Sequence, residues 1–484
     1  MDLLGILICL VLLMWLAFQG WSVLILAPAA AMIVALSANE PVLAHWTQTF
    51  MGGAARFIAQ FFPIFLLGAL FGKLMDASGS IAAIADFMSR ALGPKHAIVA
   101  VVLVGAIITY GGVSLIVSFF VLAPMAQQLF RHADIPRRLM PAAIGLGAFT
   151  FTMSAMPGAP AVQNAIPIPY FGTTPFAAPG LGLFASGVIL TLGLWWLHLV
   201  AARARTAGEG FGDPDTASVG ATVSPTRIRE LATAEGEFDP AEMRDRTAPR
   251  SLPSLAFALA PLVVVLTVNF VMSLFVLPLI DASYLADPRW GPTSLGRVGG
   301  VWAVITALAA AIAVALLINR RRVPNIRDVV DAGANASVLP TLSVASLVGF
   351  GAVVAAMPAF AQVRDVMLTL EGGPLISLAA SVNALAALTG SASGGLTIAL
   401  GALGENFLRL AAEQGISPSL MHRIAVMGSG TLDALPHNGA VITLLSVCGT
   451  THRAAYANLA MTVIAGPLIA LSLVIGIGSL VGSF

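Results

Sequence analysis

Eleven residues of this chain occur twice. Thr152 to Val162 reads TMSAMPGAPAV and Thr431 to Val441 reads TLDALPHNGAV, identical at five positions. Each copy sits inside a long apolar stretch and carries Pro and Gly mid-span, so a helix crossing a bilayer there is interrupted and part of its backbone loses its intrahelical partners. Such backbone is tolerated at membrane depth only where protein buries it or where it lines a cavity, and breaks at matching positions of two halves are how many transporters build a binding site.

The apolar stretches around these strings are long enough to span a bilayer, and with 58% hydrophobic and 10% charged residues the chain reads as an all-α polytopic membrane protein. A net charge of +1 without a basic block outside the loops excludes nucleic-acid binding. Cys9 and Cys448 are the only cysteines, each in an apolar segment, so neither a disulfide framework nor a metal cluster is available, and no cofactor is indicated. Arg outnumbers Lys 22 to 2, the usage of a GC-rich bacterial genome. The start lacks a charged leader region and a cleavage site, and reads as a retained helix.

Spans are expected at 2–18, 22–38, 54–76, a long region 96–130, 139–165, 177–200, 252–280, 296–318, 338–360, a long region 375–410, 422–448 and 454–482. Residues 201–250, rich in Glu, Asp, Arg, Thr and Pro, form the only extended polar segment and read as a flexible cytoplasmic linker between a first repeat, 1–200, and a second, 251–484. The two long regions exceed the roughly 20 residues of one span, and small residues break each near its middle, at Thr109–Ser114 and Gly390–Gly395. If both are re-entrant hairpins, 17 Lys and Arg fall inside and 4 outside, the asymmetry that the positive-inside rule requires. The halves are then inverted copies. The shift of 279 that overlays the doubled strings also pairs Phe71-Gly72 with Phe350-Gly351 and the start of the span at 177 with that near 456. Inverted repeats of this kind hold their ligand at the repeat interface near the midplane.

Asp433 is the sharpest chemical candidate. A carboxylate near the bilayer centre costs roughly 2.5 to 3.5 kcal/mol on insertion scales, and acids there mark ion or proton paths. His437 stands four residues on, past Pro436, and a carboxylate beside an imidazole can exchange a proton near neutral pH. In the first copy Ser154, Gly158 and Ala159 stand in place of Asp433, His437 and Asn438, so titrating chemistry is confined to the second half. Gln163 and Asn164 add amides beyond the first break. Half-helices that begin at the hairpin tips would aim free N–H groups and positive dipole ends at an anion. Tyr110, Gly111, Gly112 and Ser114 at one tip, and Ser391, Ser393, Gly394 and Gly395 at the other, are the expected contacts for a carboxylate, with Ser154, Asn164 and Asn438 from the breaks. Lys73 and Asp76 read as a snorkelling pair at an inner helix end, and Glu405, Arg409 and Glu413 as a solvated outer face. The GSASGG run lacks the G-x-S-x-G spacing of a nucleophile elbow, so an enzyme is not expected. A passive channel remains the reading from another class, since hairpins and midplane breaks also build selectivity filters.

The stretch Gly390 to Tyr456, including GSASGGLTIAL, MHRIAVMGSGTLDALPHNGAVITLL and THRAAY, resembles the gluconate permease (GntP) family of the ion transporter superfamily. FGKLMDASGS and the region through TYGGVSLIV are similar too, so the likeness covers most of the chain outside the linker. It implies a proton-coupled importer of small hydroxy carboxylates or sugar acids in a bacterial inner membrane, a scaffold domain, a mobile transport domain carrying both hairpins, elevator-type movement and a homodimer. Gluconate permeases carry an acidic residue in an aromatic-rich first tip. The neutral TYGGVS here is closer to the branch for short hydroxy acids such as 3-hydroxybutyrate, and a less hydroxylated substrate needs fewer polar partners. Asp433 and His437 would carry or gate the coupling proton, with sodium held by broken-helix carbonyls as the rival coupling ion.

Overall fold

The structure, a computed structural model, describes residues 8–9, 11–13, 15–16, 19, 21–212, 225–234, 238–243, 251–291, 293–323, 325–361 and 372–484. Much of the span expected at 2–18 and parts of the linker lie outside them. Among the described residues the chain is helical, without a strand. That is the outcome lipid imposes, because helices satisfy their own backbone groups. The first half comprises α1 Val23–Ser37, α2 Met51–Ala77, α3 Ser80–Leu92, α4 Ala97–Tyr110, α5 Leu115–His132, α6 Met140–Ala148, α7 Phe151–Ser154, α8 Val162–Ala165 and α9 Pro179–Thr206. The linker contributes α10 Pro225–Ala234. The second half comprises α11 Leu255–Val271, α12 Leu295–Asn319, α13 Ile326–Ala356, α14 Gly373–Thr389, α15 Ala392–Glu413, α16 Pro418–Ser429, α17 Gly439–Val447, α18 His452–Ala460 and α19 Gly466–Val481. By length and composition, six of the described stretches can cross a membrane, among them Val42–Ala77 and Ile326–Ala356, or seven if α3 with Pro94–Tyr110 counts as one bent span.

Two long helices, α2 and α13, pair antiparallel along the middle of the bundle. Gly53 faces Gly349 and Ala352 at one end, and Gly333 faces Leu70 and Lys73 at the other. A Cβ on Gly53 would lie 2.9 Å from that of Ala352, so the small residue is what lets the backbones approach.

Both long regions fold as hairpins. α4 has 14 residues and α14 has 17, both shorter than the roughly 20 residues of a typical span. Gly395, just past the second tip, lies against Leu385 and Ala386, just before it, which shows α15 folding back along α14. At the first tip Gly112 adopts φ +95°, a left-handed conformation that glycine takes without strain. The doubled strings interrupt helices in both halves, between α7 and α8 around Pro157 and Gly158, and between α16 and α17 around Pro436.

Two segments differ from their sequence reading. Residues 77–95, expected as a loop, contain α3, whose Ile81, Ile84 and Ala85 bury one face, and the chain then turns by 104° at Gly93 into α4. Apolar residues at three- and four-residue spacing are sufficient for such a short amphipathic helix. The linker, expected to be flexible, carries two docked pieces. α10 packs against α17 with Ala232 and Thr233 buried. Beyond it Phe238 is fully buried, Asp239 donates its N–H to Ala336 O at 2.9 Å, and Arg229 clamps the Asp239 carboxylate at 2.5 to 2.9 Å. Lys73, instead of snorkelling, lies beneath this segment and donates to Glu242 O.

Contacts join the segments around residues 134–138, 209–211 and 448. Arg138 binds Glu209 through two bonds of 2.6 and 2.7 Å, Asp134 accepts from Phe211 N at 2.9 Å, and Arg137 donates to Cys448 O at 3.0 Å. Gly180 N donates to Phe484 O at 2.8 Å, joining two segments expected on the outer side. Glu405, Arg409 and Glu413 are exposed, as expected.

Candidate functional site

In each half the hairpin tip is stitched to that half's own break. In the first, Thr109 Oγ1 donates to Thr152 Oγ1 at 3.0 Å and the Tyr110 hydroxyl donates to Pro157 O at 2.8 Å. In the second, Thr431, which the 279-residue shift pairs with Thr152, donates to the Asn383 side-chain oxygen on α14. Asn438 Nδ2 donates to Gly390 O at 3.0 Å, and His437 Nε2 donates to Ala387 O at 3.1 Å. A carbonyl can only accept, so His437 Nε2 carries the hydrogen of this bond.

The two breaks also meet. A Cβ on Gly430 would lie 3.1 Å from Ser154 Cβ, so the residue before the second string touches the serine that replaces Asp433 in the first. A buried basic pair on α16 joins them. Arg423, 0% exposed, donates from Nε and Nη2 to Ala177 O at 3.1 and 2.7 Å, and from Nη1 to Ser154 O at 3.2 Å and Asn164 Oδ1 at 3.5 Å. His422 shares Asn164 Oδ1 at 3.2 Å and bonds Thr173 Oγ1 at 2.6 Å. Asn164 completes the knot by donating to Ala159 O at 2.9 Å and Pro175 O at 3.0 Å.

Asp433 is buried, 1% exposed, in a 3₁₀ turn of residues Leu432–Ala434. The chain runs extended at Leu435 before Pro436, and the His437 imidazole reaches the second hairpin, where it meets Ala387 O. Ser114, Ser391 and Asn438 precede the first turns of α5, α15 and α17, so three helix N-termini begin at the tips and the second break. Ser391 Oγ accepts from Gly394 N at 3.2 Å and lies 3.4 Å from Ser393 Oγ, and Asn438 Oδ1 accepts from Val441 N at 3.0 Å. Gly111, Gly394 and Gly395 are small for packing: a Cβ would strike Leu262, Leu347 and the backbone of Ala386. Ser154 Oγ donates to Thr150 O at 3.1 Å.

A cavity of about 50 Å³ lies where the first tip, Thr109 and Gly112 to Ser114, faces Ile64 to Ala69 of α2 and the first break at Met153 and Pro160 to Val162. It suits ordered water, and its hydroxyls are those of Thr109 and Ser114. Sequence reading missed His422, Arg423, Thr173 and Asn383. A basic pair inside an apolar span was the available signal for the first two.

Comparison with known proteins fits this architecture. The model of the family described as GntP family permease matches residues 1–169. The chain is similar to an uncharacterized transporter, YxjC, of Bacillus subtilis (strain 168), 39% identical over 466 residues that cover 95% of each chain. The full-length likeness to a transporter, the family match over the first hairpin and break, and the set of membrane-spanning helices agree: the chain belongs to the GntP permease family of multi-pass membrane transporters.

Proposed function

We propose that the protein is a secondary active transporter of a bacterial inner membrane that imports a small carboxylate, a short hydroxy acid such as 3-hydroxybutyrate or a sugar acid, together with a proton. The observation that carries this reading is the pairing of each hairpin tip with its own broken helix, and of the two breaks with each other at Ser154 and Gly430. This unit is the candidate transport domain. The α2–α13 pair is the candidate scaffold, and the unit would move against it elevator-fashion, within a homodimer.

The chemistry of the unit supports an anionic cargo. N-termini of α5, α15 and α17 supply partial positive charge, and Ser114, Ser391 and Ser393 supply hydroxyls. Backbone at Gly112 and the Tyr110 ring line the approach, while Gly111, Gly394 and Gly395 set the tip geometry. Asp433 is the proton carrier and His437 the latch on the second tip. Three successive carbonyls at the first break, Pro157, Gly158 and Ala159, accept from Tyr110, Asn269 and Asn164. This favours a titrating side chain over a carbonyl-bound sodium ion as the coupling element.

Uptake of radiolabelled 3-hydroxybutyrate and a panel of small carboxylates into proteoliposomes, with pH and sodium gradients imposed separately, tests the reading. Uphill accumulation driven by an acid exterior is the expected result. Sodium-driven accumulation would replace the coupling ion, and equilibration without accumulation would replace the carrier by a channel.

A further inference from the structure

We propose that Arg423 is the fixed internal cation that balances the charge of the transported carboxylate. The inference rests on the reading of the cargo as a carboxylate. Arg423 is wholly buried, and among the described residues no carboxylate lies within ion-pair distance of it; its partners are the carbonyls of Ala177 and Ser154 and the Asn164 amide oxygen. Neutral oxygens satisfy hydrogen-bond geometry but leave a net positive charge in a low-dielectric interior, where an uncompensated ion is costly. A structural tie alone would not require that charge, since an amide can bridge carbonyls without the desolvation cost.

The position of the charge fits the role. Ser154, whose carbonyl takes one Arg423 bond, follows Met153, which lines the cavity at the first hairpin tip. Four donations lock the guanidinium, so the cation acts through its field, which water does not screen there, and not as a direct ligand. Arg423 is therefore a positioning residue that sets preference for an anion over a neutral isostere, and that moves with both breaks because it is bonded across them.

The test compares wild type, Arg423→Lys and Arg423→Gln in proteoliposomes. Each is measured for KM and maximal rate of 3-hydroxybutyrate uptake and for inhibition of that uptake by uncharged 3-hydroxybutyramide. A size-exclusion profile and a thermal melt report folding. Arg423→Gln is expected to raise KM for the acid about tenfold or more, to leave amide inhibition nearly unchanged and so to shrink the acid-to-amide ratio by the same factor. Arg423→Lys is expected to restore most of that ratio. Equal weakening toward acid and amide, or a fall in maximal rate at constant KM, would overturn the inference and leave Arg423 as a tie between segments. If Arg423→Gln does not fold, the Lys variant decides: loss of the ratio in a folded Arg423→Lys protein overturns the charge role, and retention supports it. Absence of wild-type uptake across a panel of small carboxylates would instead overturn the reading of the cargo.

Discussion

No methyl group fits at Gly395, where a Cβ would lie 2.3 Å from Ala386 N on the opposing hairpin arm. The obstacle is backbone, which cannot rotate away, so Gly395→Ala is expected to cost about 1–3 kcal/mol and to lower the melting temperature of the purified protein. Thr431 supplies the opposite case, a buried hydroxyl whose partner has few alternatives. Replacing it by Val keeps the shape but strips Asn383 Oδ1 of its donor, and a loss of about 1–3 kcal/mol is expected in the same melt. The matching Thr152→Val should cost less, because Thr109 retains Gly105 O at 2.9 Å as a second acceptor. A melt in which Thr152→Val is the more damaging of the two would contradict this order.

At the scale of elements, the stitches between tips and breaks join structures that are otherwise separate in the chain. A double-mutant cycle on Tyr110→Phe and a deletion of the residue 157 acceptor is barred by chemistry, but the Thr109–Thr152 pair is open to one, and a coupling of about 0.5–1.5 kcal/mol is expected. Arg138 ties the turn after α5 to the segment after α9 through Glu209. The bonded guanidinium holds the Glu209 carboxyl below its ordinary pKa. A depressed carboxyl contributes stability that is present above its unfolded pKa and is lost as pH falls through the lower, folded value. With both side chains partly exposed the contribution is about 0–1 kcal/mol, so Glu209→Gln is expected to lower the melt slightly at pH 7 and by progressively less as pH falls through the folded value. A larger deficit at acid pH would reverse the assigned sign.

For the molecule as a whole, the linker is the part whose behaviour departs most from its composition. Its charge and proline content marked it as solvated, yet Phe238, Ala232 and Asp239 are buried against α13 and α17. Phe238→Ala, which removes a fully buried ring worth about 3–5 kcal/mol in a core, is expected to make residues 225–243 rapidly cleavable in limited proteolysis while the helical bundle survives. Part of the plan is legible from sequence because membrane insertion writes it in lengths and small residues: the described chain is helical and its helices stop near the Gly pairs and mid-span Pro, but of twelve expected stretches only six helices, or seven with the bent pair, are long and apolar enough among the described residues to cross a membrane. The partners were not legible. Nothing local in Asn164 or His437 announces which carbonyl it will meet, and Arg423 lies some 250 positions from the carbonyls that hold it. The backbone between Asp433 and His437 is extended at Leu435, so their four-residue separation is not a helical turn. If the second break carries the coupling proton and the first is a neutral wall, Asp433→Asn in proteoliposomes separates transport from coupling. Exchange of 3-hydroxybutyrate across the membrane is expected to persist while accumulation driven by an acid exterior collapses to the equilibrium level. Accumulation equal to wild type under the same gradient would contradict it.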